Sequence, residues 1–143
     1  MAVRFLLQGE IRTIQVSSIY LTEPVDFKNQ GWFLNQVVQA HTELEPTDLM
    51  TECLRVEQAL GRLRTEPRGP RTLDVDILFY DDRVVEEMGL TIPHPRLHLR
   101  RFVLVPLAEI QPQLVHPVFH KPISVLLERC SDPSQVVLFG KVC

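Results

Sequence analysis

GPRTLDVDILFY, residues 69–80, is the stretch on which the fold of this chain turns. Its alternation sends Leu73, Val75, Ile77 and Phe79 to one side and Asp74 and Asp76 to the other, which predicts a half-buried strand. Two carboxylates on one strand face stand about 7 Å apart and converge on a shared site. Magnesium takes such hard oxygen ligands, commonly one or two carboxylates plus substrate phosphates. Paired metals also clamp both ends of a displacement. Taken alone, the same pattern describes a solvent-facing strand side with two ordinary aspartates. Immediately upstream, however, lie Arg62, Arg64, Arg68 and Arg71. Guanidinium groups match phosphate bidentately and stay charged, so arginines beside metal-binding aspartates are the parts needed to neutralise a triphosphate in transfer. The plainer alternative is an exposed basic loop forming surface ion pairs worth about 0–1 kcal/mol each. GxxxxGK[ST] is missing from the sequence, which excludes a P-loop kinase.

Outward from this stretch, helices and strands interleave. Pro46 opens a helix in which Leu49, Met50, Cys53, Leu54, Val56 and Leu60 recur at helical spacing, and Gly61 stops it. Residues 11–20 and 32–42 are two strands, the first with Ile14, Val16, Ser18 and Tyr20 on one face. LTEPVDFKNQG at 21–31 is long enough for a binding loop, and this loop and the one at 61–70 could close over ligands. On the other side come a turn at Asp81-Asp82 and a short strand near Val84. LHLRRFVLV at 97–105 is helical until Pro106 interrupts it, and a last helix falls around ISVLLERC. Val3, Phe5, Leu6 and Leu7 before Gly9 resemble the last turns of an amphipathic helix. The mixture predicts one α+β domain over residues 1–143, a sandwich of helices on a mostly antiparallel sheet.

Composition narrows the partners. The 143 residues are 45% hydrophobic, enough for a single core, and carry a net charge of -3. That balance argues against a broad surface for nucleic acid or anionic lipid. Three cysteines without a CxxC pair suggest reduced thiols in the cytoplasm. MAVRFLLQGE is neither a signal peptide nor a membrane span. His116 and His120, four residues apart but interrupted by Pro117, have no acidic residue at a matching spacing and are expected at the surface rather than on zinc.

GPRTLDVDILFY resembles the signature of the hydroxymethyl-dihydropterin pyrophosphokinases. So do VSSIYLTEP at 16–24, FLNQVV at 33–38, GRLR at 61–64, TIPHPRL at 91–97 and RRFVLVPLAEI at 100–110, in the same order and spacing. The resemblance runs from about Gln8 to about Leu127. It implies a ferredoxin-like sandwich and a monomer that binds ATP, two Mg2+ ions and the pterin, and moves pyrophosphate directly onto the pterin alcohol with release of AMP in folate biosynthesis. It assigns both metals to Asp74 and Asp76 and the bracing of the pyrophosphate to Arg62 and Arg71. It assigns the pterin edge to Asn35, the ring to a sandwich of Phe33 and Phe102, and backbone contacts to the loop carrying Thr22 and Pro24. By the same resemblance His94 lies beside the ATP phosphates, with Thr91 and Arg100 near the nucleotide and Glu57 a contact from the helix. From the residues alone, both phenylalanines read as core residues before ligand contacts.

The sequence departs from that family in two places. The family begins with a strand and an Ala-Leu-Gly-Ser-Asn-like turn, whereas Met1 falls inside the helix that follows, so the N-terminal strand is expected to be missing. TEPRGPR is one residue short and lacks an aromatic before GPR, so no stacking role passes to Arg68. The first departure leaves open a truncated paralogue that binds nucleotide or pterin without turnover. A ferredoxin-like RNA binder stacking on Phe33 and Phe102 is opposed by the acidic balance and by Asp74 and Asp76.

Overall fold

The computed structural model describes residues 11–23, 32–61 and 74–141. Its chain divides into two compact units, residues 1–13 with 40–94 and residues 14–39 with 95–143. The N-terminal helix expected at residues 3–7 lies outside the described residues.

In the unit holding residues 40–94, helix α1 runs over Pro46–Gly61 as expected. Proline suits its first position, where the missing N–H has no intrahelical partner to lose. Cys53 and Val56 are buried, but Leu54 is exposed, because it sits off the stripe they define. Strands β5 (Val85–Glu87) and β6 (Leu90–Ile92) form an antiparallel hairpin in which Val85 pairs with Ile92. Met88 and Gly89 turn it with φ of 50° and 79°, the positive values that a two-residue hairpin turn needs. Val85, Leu90 and Ile92 make a small core against which Met50, Ile77 and Tyr80 pack. The second hairpin strand was not anticipated from LTIPHPRL.

Residues 74–80 correct the expectation of a strand. Asp74 and Asp76 are exposed while Val75 and Ile77 are half-buried, so the predicted alternation is present, but no ladder among the described residues includes them. The Val75 amide donates instead to Glu57 Oε1 (2.6 Å), and the Leu78 carbonyl accepts from the His94 amide (2.9 Å). The turn at Asp81-Asp82 forms, with Asp81 at φ 51°. Tyr80 donates its hydroxyl to the Leu44 carbonyl (2.5 Å), and Arg83 pairs with Glu45 at 2.9 Å beside it.

Each of the two long strands expected near the N-terminus is broken in the middle. The first becomes β1 (Ile11–Val16) and β2 (Ile19–Thr22); the second becomes β3 (Phe33–Asn35) and β4 (Val38–Thr42). β1 pairs with β4, whereas β2 pairs with β3 in another sheet. The breaks bond to each other. Ser17 donates its amide to the Val37 carbonyl (2.9 Å), Val37 donates its amide to Ser17 Oγ (2.9 Å), and Gln36 Nε2 reaches the Ser17 carbonyl (2.8 Å). The break also ends the common face expected for Ile14 and Ser18: Ile14 is 56% exposed and Ser18 4%.

In the unit holding residues 14–39 and 95–143, β2 is the central strand of an antiparallel sheet ordered β3-β2-β7, where β7 is Val136–Gly140. This last strand was not expected, although VVLFG has the β-branched and aromatic content that favours one. Helix α2 (Arg101–Ile110) packs against β2, β3 and β7 and against helix α3 (Ile123–Arg129). Pro106 does not interrupt α2, contrary to the expectation from its sequence. It lies inside the helix and is fully buried, so Pro106, Leu104, Leu107 and Ile110 bury one apolar face. That burial offsets the loss of one helical hydrogen bond. The described residues therefore show an α+β fold with antiparallel pairing. Among them no helix is long and apolar enough to cross a membrane.

No side chain of the flanking residue Arg100 caps α2. Asp132 does so from a distant loop, accepting from the Arg101 amide (3.0 Å) with Oδ2 and from the Ser134 amide (2.9 Å) with Oδ1. Burial works against its ionisation, yet the bonds from Ser134 and Arg101 hold Asp132 below the usual carboxylate range. Asp132→Ala is expected to cost about 1 kcal/mol, the usual loss of a helix cap, measured by urea unfolding, and Asp132→Asn less because it keeps an acceptor.

His116 corrects the surface assignment. It is 3% exposed, stacks on Phe119, and its Nδ1 accepts the amides of Val118 and Phe119, both at 3.1 Å. An imidazolium has no acceptor to offer. Burial, and then the neighbouring His98 and His120, lower its pKa from 6.5. The unfolded chain therefore takes up this proton first as pH falls. Stability is expected to be complete above about pH 6.5 and to decline below it towards the folded pKa. Melting temperatures between pH 8 and pH 5 should show this slope, and His116→Asn, which keeps an acceptor for the turn, should flatten it.

Candidate functional site

Two sets of residues carry site chemistry, one in each unit. In the first unit, Glu57 projects from α1 and accepts the amide that lies between Asp74 and Asp76. That short bond from a carboxylate fixes the backbone of the acidic pair, and hence the origin of both side chains. This bond engages one oxygen of Glu57, the residue expected to contact the nucleotide from the helix. The surroundings are acidic. Burial, and then the fields of Glu57, Glu52 and Asp76, push the Cys53 thiol up to about 11, so it stays protonated and unreactive. Among the described residues no group of three or more His, Cys, Asp and Glu could hold a metal ion. His94 is half-buried, held by its amide to Leu78, two residues beyond Asp76, and Thr91 is exposed on β6. Arg62, Arg71 and the loop at 61–70 fall outside the described residues apart from Gly61.

In the second unit, Thr22, Asn35, Phe33 and Phe102 are brought together. Tyr20 pairs with Asn35 and Thr22 with Phe33 across β2 and β3. Asn35 Nδ2 donates to Thr22 Oγ1 (2.5 Å), which itself donates to the Phe33 carbonyl (3.2 Å). These bonds fix which end of the Asn35 amide carries oxygen. Thr22 is fully buried, so its side chain serves Asn35 rather than meeting a ligand. Phe33 and Phe102 meet edge to face, with centroids 5.7 Å apart and planes at 80°. A flat ring enters between them only if the rings part. The Arg100 guanidinium lies 5.5 Å from the centre of the Phe102 ring. Pro24 lies outside the described residues. Sequence reasoning passed over Glu109, which accepts from Ser18 and Tyr20, because a helical glutamate gives no local signal of a partner some ninety positions away.

The model of the 7,8-dihydro-6-hydroxymethylpterin-pyrophosphokinase family matches residues 1–112. The chain belongs to that family. Among its relatives, the "Folic acid synthesis protein fol1" of Schizosaccharomyces pombe is 45% identical over 125 residues, which are 87% of this chain and 17% of that protein. Two proteins named "2-amino-4-hydroxy-6-hydroxymethyldihydropteridine pyrophosphokinase" are also similar. The one from Bacillus subtilis is 45% identical over 114 residues (79% of this chain, 68% of that protein), and the one from Aquifex aeolicus 41% identical over 109 (76% and 68%). The chain thus spans about a sixth of the fission-yeast protein and about two thirds of the two bacterial ones. The family match takes in both sets of site residues, from Thr22 to Phe102.

Proposed function

We propose that this chain transfers pyrophosphate from ATP to the hydroxymethyl group of 6-hydroxymethyl-7,8-dihydropterin, releasing AMP, as a step of folate biosynthesis. The observation that carries this reading is the bond from the Val75 amide to Glu57, which anchors Asp74 and Asp76 as two exposed carboxylates on a fixed backbone. Two carboxylates fit Mg2+, which commonly takes one or two from the protein and completes its shell with water and substrate phosphates. Bound there, two Mg2+ ions would supply charge neutralisation for the phosphates of ATP. Arg62 and Arg71 are assigned to brace the transferred group, and Thr91, His94 and Arg100 to the nucleotide.

Asn35 is assigned to the polar edge of the pterin. Its Nδ2 is turned towards Thr22, which leaves Oδ1 and the second amide hydrogen for the ligand. Phe33 and Phe102 are assigned to the faces of the ring, and the backbone of Thr22, at the end of β2, and of Pro24 to further contacts with it. Positioning and charge neutralisation suffice for direct transfer, and no covalent enzyme intermediate is required. The same reading takes residues 1–143 as one ferredoxin-like domain, acting as a monomer in the cytoplasm on small molecules, without nucleic acid or membrane.

AMP release with ATP, Mg2+ and hydroxymethyl-dihydropterin, measured against the same mixture without pterin, tests it. Pterin-dependent AMP is expected. Folded protein that binds pterin and releases none would make the chain a binding module instead.

A further inference from the structure

Glu109 lies near the end of α2, seven residues after Phe102 and so two turns along the same helix face. Its carboxylate accepts four bonds from Ser18, just before β2, and from Tyr20 within it. The Ser18 amide donates to both oxygens (3.0 and 3.1 Å), Ser18 Oγ to Oε2 (2.8 Å) and the Tyr20 hydroxyl to Oε1 (2.6 Å). Burial alone would raise the pKa of Glu109, but Tyr20, Ser18 and the nearby Lys141 hold it below the usual carboxylate range. Burial, and then Glu109, push the Tyr20 hydroxyl up to about 12, so it remains a donor at any working pH.

This carboxylate differs from one in a surface ion pair. All three of its donor groups are neutral, and one is the backbone amide of a buried residue, Ser18, at the break in the first long strand. Tyr20, which it holds, stands opposite Asn35 in the sheet, and Asn35 is tied in turn to Thr22 on the same strand as Tyr20. At the other end of the same helix face, Phe102 meets Phe33, two residues before Asn35. α2 therefore grips the β2–β3 pair at two points, Tyr20 and Phe33, and Asn35 stands directly opposite the first of them.

We propose that Glu109 is a positioning residue for the pterin: by anchoring Ser18 and Tyr20 it sets the placement of the Asn35 amide relative to Phe102. The proposal rests on Asn35 binding the pterin, as assigned above. Losing the carboxylate lets the start of β2 shift, which loosens the amide and leaves the residues assigned to ATP unchanged.

The test is steady-state AMP release by wild type, Glu109→Gln, Tyr20→Phe and Asn35→Ala, with pterin and ATP varied separately and thermal unfolding run on each protein. Glu109→Gln is expected to raise the pterin KM about tenfold, the loss of a charge-assisted bond, with the ATP KM within about twofold of wild type. Tyr20→Phe should move the pterin KM the same way by a smaller factor. A Glu109→Gln protein whose two KM values rise together, or whose pterin KM is unchanged, overturns the proposal. Should Asn35→Ala raise the pterin KM while Glu109→Gln does not, the assignment of Asn35 stands and only the role of Glu109 falls. Should Asn35→Ala leave the pterin KM unchanged, the reading of the site fails and this proposal with it.

Discussion

Asp74→Ala is expected to lower kcat for pterin-dependent AMP release by a factor on the order of 10^3, while pterin affinity stays within about twofold of wild type. The asymmetry follows from where charge must be balanced. Asp74 lies in the exposed acidic pair fixed by Glu57, and the pterin is assigned to residues on other elements. In the proposed role, removing one of two hard-oxygen ligands would weaken the hold on Mg2+ and thereby the neutralisation of the phosphates. Excess Mg2+ should recover part of the loss. Quenched-flow turnover combined with equilibrium pterin binding checks both halves, and an equal loss of turnover and pterin affinity would remove Asp74 from its assigned role. Glu57→Gln keeps an acceptor for the Val75 amide and is expected to retain most of the activity that Asp74→Ala loses.

The second large effect is expected at Asn35. Asn35→Ala should reduce kcat/KM for the pterin by a factor on the order of 10^2, because a site built to hydrogen-bond a polar edge leaves that edge unpaired when its partner is removed. The effect is expected in the pterin dependence and not in the ATP dependence. Thr22→Val is the informative companion. It preserves the shape of a fully buried side chain but removes the acceptor that holds Asn35 Nδ2, so the amide is free to turn over. Its pterin KM is expected to rise by roughly tenfold, a smaller change than with Asn35→Ala, because the amide remains present. An unchanged pterin KM in both variants would place the pterin edge elsewhere.

How much of this was legible beforehand differs from element to element. Helix α1 was predicted with both its ends, because Pro46 and Gly61 act locally and its apolar stripe has helical period. The acidic pair was found from the alternation in LDVDIL, which the exposure of Asp74 and Asp76 follows even without a ladder. The aromatic and amide residues were found through family resemblance and not through spacing. Nothing in FLN itself separates a core phenylalanine from one that meets a ligand.

The tertiary structure alone decided the rest. Two uninterrupted runs of strand formers, residues 11–20 and 32–42, each break at two residues because Ser17 and Val37 bond to each other and Glu109 takes the Ser18 amide. Pro106 remains inside a helix because its ring is buried, an outcome that the local cost of proline cannot foresee. His116 is interior because its Nδ1 completes a turn, although the composition around it reads as surface. Local propensity, period and end signals act over a few residues and are written in the sequence order. Strand partners, burial and the placement of Asn35 by Thr22 and Glu109 depend on contacts between residues far apart in the chain, and only packing decides those.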